Sequence, residues 1–497
     1  MRQRHALAAL VALLAAGCGT TVDTATLRAG QPGAAGGEGL SVPSPGAVAS
    51  VPGRPGVPLG SAAGGTGSVV APGVVSGTPG VVAGSRGVPG GGTGATTAPI
   101  QLGILYSVND GAQSAGVDNG NTFTVSRAVR ALVASWNKTG GIGGRRIDPV
   151  YAEVHSASND YDSQFQAACS AFTEDHHVAA VLTSDGFYSE TLLTCLTKAG
   201  VPVVSGDYAA PDRKGAGQYP YYISPLMPLG NTRVVDQVNR LKASGFLTAS
   251  NKIGVVIEGC PIDRRVFADA LVPALRNAGL TLTTSSEARC FMSLQDFGGM
   301  ASDTQNAVLA FRSQGVDRVM FVSEAAEGNL VLLFAEAADA QHYTPGYALD
   351  SVALPAILAD NLPQSQLVNM RGLGWIPSVD SQVRSDLRPN ASGKRCLARL
   401  ADQGVQATSN ADFYTAYSVC DGFAFLDTSL RTTRGDAGAG AVLASLDAIG
   451  SSFVAATTVD GRVTVSRARR TGAGAVRMFA YGGSCGCFHY TSGSFPF

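Results

Sequence analysis

The sequence predicts an α/β protein built as two lobes, each around a central parallel sheet. Short unbroken runs of Val, Ile and Leu alternate with segments whose apolar residues recur at helical spacing. This is the pattern of parallel strands covered by helices on both faces. The chain has 497 residues and 45% apolar composition, and single cores stop growing at about 250 to 300 residues. It is therefore long enough for two cores.

Residues 178–208 contain the clearest β-α-β unit. An apolar run at 178–182 leads through a polar loop and a helical segment to a second apolar run at 201–204. Parallel strands need a right-handed crossover, so the loops after both strands lie at the same edge of the sheet. Ligands of open α/β sheets bind outside the carboxyl ends of the strands. The loops at 183–189 and 205–208 are thus the first candidates for a binding site.

The N-terminus predicts an exported lipoprotein. A basic start is followed by the apolar stretch 6–16, which is too short to span a bilayer. The stretch ends at Gly17-Cys18, which resembles the bacterial lipobox, where the cysteine is lipidated and becomes the mature N-terminus. An ordinary signal peptide with a chance cysteine is the alternative, but it does not explain why the small residues stop at Cys18. Residues 1–18 are therefore predicted to be a lipoprotein signal peptide that leads to a membrane anchor.

Residues 19–98 predict a disordered linker that acts as a tether. Gly, Pro, Val, Ala and Ser dominate there, and Val-Pro-Gly variants recur without a strict period, unlike collagen or a packed repeat. A Gly-rich chain of about 80 residues reaches on the order of 50 Å. The full chain carries 36 Lys and Arg against 37 Asp and Glu, without a basic block. A nucleic-acid partner is therefore not expected.

The eight cysteines beyond the tether form an even set, which argues for disulfides in an exported chain. Eight cysteines allow 105 connectivities, so the sequence alone proves none. Pairing each cysteine with its neighbour along the chain gives Cys169 with Cys195, Cys260 with Cys290, Cys396 with Cys420, and Cys485 with Cys487. A metal site is the alternative for the last pair, but only His489 accompanies it. No metal is predicted.

A glycine-rich turn at 139–147 follows a helix whose apolar face includes Trp136 and precedes a strand. A P-loop or a dinucleotide-binding fingerprint needs the reverse order, and neither motif occurs in this turn. No cofactor is therefore expected. Trp136 is predicted to lie in the core.

This helix, Gly-Gly-Ile turn and strand resemble the type 1 periplasmic binding proteins of the branched-chain amino acid class, the extracytoplasmic receptors of ABC importers. The resemblance continues through AGVPVVS at 199–205, YYISP at 221–225 and GVDRVMF at 315–321. It covers residues 100–481. It implies two Rossmann-like lobes joined by a three-strand hinge, a small-molecule ligand between them and an ABC permease as partner.

The α/β rhythm together with the resemblance divides the folded region. Lobe one is predicted at 99–227 and 378–450, and lobe two at 228–377 and 451–497, where the last strands are expected at 462–465 and 475–481. The chain would cross between the lobes three times, which makes a hinge that can close around a ligand.

By the resemblance, loops at the strand ends of both lobes hold the ligand. These loops are 107–110, 185–189, 206–209, 259–263, 323–327 and 350–351, with Trp375. The candidate ligand-binding residues are Asp185, Gly186, Tyr188, Ser189, Asp207, Tyr208, Asp263, Glu324, Asp350 and Trp375.

Asp350 matches the acid that holds the ligand ammonium group in the amino-acid binders of this class. Asp185 or Gly186, and then Asp207, stand where hydroxyl residues are expected to hold the ligand carboxylate. Like charges at about 4 Å cost roughly 4 kcal/mol at an effective dielectric near 20. An acid-rich pocket therefore predicts a ligand with amino or several hydroxyl groups rather than a simple carboxylate. The alternative for each Asp is a solvated loop acid or a helix N-cap.

The sequence does not predict an enzyme. Residues 482–486 fit the letters GxSxG, but a nucleophile elbow needs a following helix, an acid and a histidine, and no Asp or Glu follows Gly486. Two functions remain. The chain is either a lipid-anchored receptor that delivers an amino acid, an amide or a related molecule to an ABC importer, or a surface-anchored sensing or structural protein. The receptor is the predicted function, and the long tether, which is unusual for an importer receptor, keeps the second as the alternative.

Overall fold

The structure is a computed structural model that describes residues 98–108, 120–184, 188–206, 209–324 and 327–497. The predicted signal peptide, Cys18 and the linker to residue 97 lie outside the described residues. The strands in chain order are β1 (Ile100–Val108), β2 (Ile147–His155), β3 (Ala180–Ser184), β4 (Val203–Ser205), β5 (Tyr222–Ile223), β6 (Ile253–Glu258), β7 (Leu282–Ala288), β8 (Arg318–Val322), β9 (Gly346–Asp350), β10 (Met370–Gly374), β11 (Ala475–Gly482), β12 (Cys487–Tyr490) and β13 (Phe495–Pro496).

The helices follow the strands in the alternation that the sequence predicts. In chain order they are α1 (Val125–Lys138), α2 (Tyr161–Ser170), α3 (Glu190–Ala199), α4 (Arg213–Gln218), α5 (Gly230–Ala243), α6 (Pro261–Val266), α7 (Val272–Asn277), α8 (Asp296–Gln314), α9 (Glu327–Ala340), α10 (Pro355–Leu358), α11 (Gln364–Leu367), α12 (Pro377–Asp380), α13 (Ala391–Ala401), α14 (Asn410–Thr432) and α15 (Ala439–Ile449). A π-helical turn, Phe267–Leu271, joins α6 to α7.

Two sheets organise these elements. The first has the order β2-β1-β3-β4-β5 with all neighbours parallel, and we call it, with its helices, lobe one. The second has the order β12-β11-β10-β9-β8-β6-β7, and β13 also pairs with β11. Its strands from β6 to β10 are parallel, whereas β11 and β12 are antiparallel additions. We call this sheet, with its helices, lobe two. The predicted fold class is confirmed.

The chain passes between the lobes three times, and the passages contact one another. The first passage follows β5 and the third precedes β11. Ser224 N–H donates to Arg470 O (2.9 Å) and Gly472 N–H donates to Ser224 O (3.0 Å), so these two passages lie side by side. The second passage follows β10, and Trp375 O in it accepts the N–H of Val459 (2.9 Å). The hinge is therefore a connected unit rather than three loose links.

The Gly-Gly-Ile turn packs against α14 at the edge of lobe one. Gly141 and Gly143 have positive φ angles of 79° and 57°, a conformation that side chains oppose. Gly143 N–H donates to the Asp427 carboxylate (2.8 Å) on α14. Trp136 is 8% exposed, with the Arg399 guanidinium 4.0 Å from its ring centroid. The prediction that Trp136 belongs to the core is confirmed.

Four disulfides are present, and they join the same pairs that result when each cysteine is paired with its neighbour along the chain. Their Cα–Cα distances are 6.3 Å for Cys169–Cys195, 4.7 Å for Cys260–Cys290, 5.7 Å for Cys396–Cys420 and 5.2 Å for Cys485–Cys487. Each bond stays within one lobe or one hairpin, so none restricts the passages between the lobes.

Two sequence predictions of local structure were wrong. The strand expected at 462–465 is absent, because Arg462 and Val463 form only isolated bridges, and Val463 and Val465 pack in the core of lobe one. The first strand of the β-α-β unit lies two residues later than predicted, so Thr183 and Ser184 belong to β3. Thr183 pairs with Leu105 and Ser205 on the neighbouring strands, and this pairing extends the strand beyond its apolar run.

Candidate functional site

Buried polar residues gather at the carboxyl ends of the lobe-two strands. β6 ends at Glu258, Ser323 and Glu324 follow β8, and β9 ends at Asp350. All four are at most 2% exposed. Since β9, β8 and β6 are parallel neighbours, these side chains meet at one edge of the sheet. Burial of the three carboxylates among them requires a compensating positive charge.

Arg233, in the first turn of α5, supplies that compensation and is itself 1% exposed. Its Nη2 lies 2.8 Å from Glu324 Oε1 and donates to Ser323 O at 2.9 Å. Its Nη1 lies 2.8 Å from Glu327 Oε2 and 2.5 Å from Asp350 Oδ2. One guanidinium therefore holds three carboxylates, two from the segment after β8 and one from the end of β9.

The start of α5 is shaped to bring Arg233 to this edge. A Cβ atom on Gly230 would lie 2.6 Å from Glu324 Oε1, so this close approach of helix and carboxylate requires glycine. Gly230 N–H donates to Pro211 O (3.2 Å) in lobe one, and two turns later Gln237 donates to Leu349 O (2.8 Å). The helix is thus fixed at both sides of the guanidinium.

Two further acids complete the group. Asp263 on α6 is 1% exposed, and its Oδ1 accepts the N–H of Glu324 (2.8 Å). Glu258 accepts the Ser323 hydroxyl (2.6 Å) and the Phe291 N–H (2.8 Å). We call this set the Arg233 cluster, and its members are Arg233, Glu258, Asp263, Glu324, Glu327 and Asp350.

The Arg233 cluster contains five carboxyl groups and one guanidinium, and the pKa values of several of these acids are raised. Burial raises the pKa of Asp263 well above its ordinary value, and the charges of Glu258 and Glu324 raise it further. Burial and the Asp350 charge likewise raise the pKa of Glu327, which the Arg233 charge only partly offsets. Burial lowers the pKa of Arg233, but the surrounding carboxylates outweigh this and raise it overall. Asp263 and Glu327 therefore retain protons at a higher pH than exposed acids do.

The structure brings some of the predicted site residues together and separates others. Asp263, Glu324 and Asp350 meet in the Arg233 cluster. The Ser189 hydroxyl caps α3 by accepting the Leu192 N–H (3.2 Å). Tyr188 packs instead against the core of lobe one, with its ring 6.0 Å from that of Tyr222.

Trp375 lies in the hinge and is fully buried. Its ring centroid is 5.6 Å from that of Phe497, within an apolar cluster that joins the second passage to the start of the first. Trp375 N–H donates to the Ser351 hydroxyl (2.8 Å), which links the hinge to the end of β9. The predicted site residues Asp185, Gly186, Asp207 and Tyr208 lie outside the described residues.

Sequence reasoning missed Arg233 and therefore misjudged Asp350. A charged residue on an amphipathic helix is usually placed on the solvent side, and the sequence has no feature that marks Arg233 as buried. The structure pairs Asp350 with Arg233, and its Oδ1 also caps the short helix Ser351–Ala353 by accepting the Val352 N–H (2.8 Å). Asp350 is thus not an isolated acid that waits for a cationic ligand.

Contacts between the lobes lie beside the cluster. Arg265 on α6 of lobe two reaches Asp212 (2.6 Å) and Glu190 (3.2 Å) of lobe one. Nearby, the Phe291 ring lies 6.4 Å from the Tyr161 ring of lobe one. A charged and an aromatic contact therefore join the lobes at the strand-end side.

Among the described residues, no helix is long and apolar enough to cross a membrane.

The comparisons with known proteins agree with this architecture. No family model matches the sequence, and no curated protein matches it. A solved solute-binding protein of an ABC transporter from Rhodopseudomonas palustris, in complex with 4-hydroxybenzoate, is similar with a TM-score of 0.59 and 14% identity, over 80% of this chain and 97% of that one.

Two other solved structures are similar over comparable lengths. An ABC transporter substrate-binding protein from Desulfitobacterium hafniense in complex with Leu has a TM-score of 0.54 and 15% identity, over 79% of this chain and 99% of that one. A possible leucine/isoleucine/valine-binding protein from Rhodopirellula baltica has a TM-score of 0.55 and 12% identity, over 81% and 97%. The chain thus has the type 1 periplasmic binding fold, as its sequence predicts.

We expect Arg233→Met to destabilise the protein strongly, because it leaves Glu324, Glu327 and Asp350 buried without their counter-ion. Breaking a buried ion pair in this way costs about 3 to 5 kcal/mol. Without the guanidinium, the pKa values of Glu324 and Glu327 in the folded state, which burial already raises, rise further. Their contribution is favourable below the ordinary glutamate pKa of 4.5 and is lost as pH rises. The loss of unfolding free energy should therefore be larger at pH 8 than at pH 5.

Chemical denaturation at both pH values measures this effect. Arg240→Met is the matched control, because Arg240 lies on the same helix and pairs with Asp236 at 2.7 Å, but both side chains are 22% exposed. Such pairs contribute about 0 to 1 kcal/mol. Equal losses for the two variants, or a loss at position 233 that does not change with pH, would contradict the central role of the Arg233 cluster.

Proposed function

We propose that the protein is an extracytoplasmic solute-binding receptor, which captures a small polar molecule between its lobes and passes it to the permease of an ABC importer. The observation that carries this proposal is the Arg233 cluster at the strand ends of lobe two, beside the contacts to lobe one. In open parallel sheets, ligands bind outside the carboxyl ends of the strands. The three connected passages form a hinge of the kind that closes lobes around a ligand.

The ligand that we propose is an amino acid, an amide or a related molecule with amino or hydroxyl donors. The Arg233 cluster contains five carboxyl groups and one guanidinium, and Glu327 Oε1 is buried without a hydrogen-bond partner among the described residues. Asp185 and Asp207, on the loops of lobe one, are proposed to add acidic character from the opposite side. Such surroundings favour a ligand donor and oppose an unpaired carboxylate.

A thermal-shift screen of amino acids, amides, polyamines and polyols tests the proposed ligand class. Leucine and 4-hydroxybenzoate, which the similar structures bind, serve as references. A ligand at 100 times its Kd stabilises the folded state by about 2.7 kcal/mol, so a compound with amino or hydroxyl donors should raise the melting temperature. A rise with 4-hydroxybenzoate alone would contradict the ligand class. For the compound that binds, loss of its uptake in a strain that lacks the gene would support transport, whereas unchanged uptake would favour a sensing role.

We further propose that the receptor is anchored to the cell membrane through lipidated Cys18, with residues 19–98 as the tether. One acyl chain holds a protein only marginally, whereas several hold it firmly. Mass analysis of the mature N-terminus should find a lipid-modified cysteine. An unmodified peptide that starts before or after Cys18 would exclude the anchor.

We expect Arg265→Ala to loosen the contact between the lobes. Arg265 is 20% exposed and its partner Asp212 only 3% exposed, so the pair is better shielded from water than an ordinary surface pair. Small-angle X-ray scattering of the ligand-free protein should show a larger radius of gyration for this variant. Arg264→Ala is the control, because Arg264 pairs with Glu287 inside lobe two. Indistinguishable scattering from the two variants would mean that Arg265 does not hold the lobes together.

A further inference from the structure

A cavity lies at the hinge, and none of the residues that line it belongs to the Arg233 cluster. Its volume is about 290 Å³, and its walls come from the second passage, from α14 and from residues 456–461. Ligand pockets usually measure about 300 to 1,000 Å³. The cavity is therefore suited to a ligand at the small end of this range.

Four side chains that line the cavity present buried polar atoms without a hydrogen-bond partner among the described residues, namely Ser378, Tyr417, Thr457 and Arg477. Ser378 and Tyr417 are 4% and 5% exposed. The atoms are the hydroxyl oxygens of Ser378, Tyr417 and Thr457, and Arg477 Nε. Buried polar groups in native proteins are nearly always hydrogen-bonded. Four such atoms on one cavity indicate a bound partner that supplies both donors and acceptors.

The charges around the cavity balance. Asp386 and Asp460 line it together with Arg388 and Arg477, and Arg477 Nη2 is already paired with Asp460 at 2.8 Å. Burial raises the pKa of Tyr417 to about 12, so its hydroxyl remains protonated and neutral. An anionic or cationic ligand would thus find no unpaired excess of opposite charge, and a neutral ligand is favoured.

An aromatic wall complements the hydroxyl groups. The rings of Phe413 and Tyr417 are stacked with centroids 5.8 Å apart and an angle of 27°, and both residues line the cavity. Aromatic faces bury apolar surface, while the Tyr hydroxyl keeps a polar end available. A ligand with a C–H face and a hydroxyl rim would match both features.

We propose that the hinge cavity is a binding site for a small neutral polyhydroxyl compound of the size of a cyclitol or a monosaccharide. Its hydroxyl groups accept from Arg477 Nε–H and exchange hydrogen bonds with Ser378 and Tyr417. Its ring face packs on the Phe413 and Tyr417 rings. This site is independent of the cleft between the lobes and does not rest on the function proposed for that cleft.

Isothermal titration calorimetry of the full chain with myo-inositol and glucose, up to about 10 mM, tests the proposal because a millimolar Kd is measurable in this range. The wild-type protein should bind at least one probe, and Tyr417→Phe and Ser378→Ala should each weaken that binding about tenfold, the equivalent of one hydrogen bond. Tyr151→Phe is the matched control, because Tyr151 lies on β2 and does not line the cavity, and its binding should equal that of the wild type.

Three results would overturn the proposal. The first is the absence of binding heat with both probes, which would leave water as the occupant. The second is binding that both cavity variants leave unchanged, which would place the probe elsewhere. The third is a lower melting temperature of Tyr417→Phe without any probe, because removal of an unpartnered hydroxyl should not destabilise the protein.

Discussion

The rest of lobe two depends on one buried guanidinium. Arg233 is the only cation among the members of its cluster, and the backbone segments that end β8 and β9 are arranged around it. Burial of a charge is unfavourable unless it is paired and hydrogen-bonded, so the start of α5, the loop after β8 and the end of β9 must all keep their positions for any one of them to be stable. The same constraint explains Gly230, since a side chain there would displace the Glu324 carboxylate.

The fold could be predicted from the sequence because the patterns that indicate its strands and helices are local. Apolar runs and helical periodicity predicted the β-α-β unit at 178–208, which the structure contains as β3, α3 and β4. The strand expected at 462–465 failed for a reason that local pattern cannot show. Val463 and Val465 alternate with polar residues like a half-buried strand, but their apolar side chains pack on lobe one instead of joining a sheet.

The sequence predicted the acids of the candidate site but not their cation. The rule that ligands lie at the strand ends, together with the family resemblance, identified Asp263, Glu324 and Asp350, because each follows a strand along the chain. Their partner Arg233 lies 91 residues before Glu324 and 117 before Asp350, on a helix whose pattern gives no sign that this position faces inward. The sequence therefore showed acids without a cation, whereas the structure pairs three acids with Arg233. The N-cap alternative considered for Asp350 describes one of its two oxygen atoms.

Lobe closure and charge are physically coupled in this arrangement. Contact between the lobes removes water from the strand ends, and a lower local dielectric strengthens repulsion among carboxylates as well as their attraction to Arg233. A single guanidinium cannot neutralise five carboxyl groups, so the closed form requires either protons on some acids or positive charge and donors from a bound molecule. The raised pKa values of Asp263 and Glu327 represent the first solution. The proposed ligand with an amino group would provide the second, and its binding would displace protons from these acids by linkage.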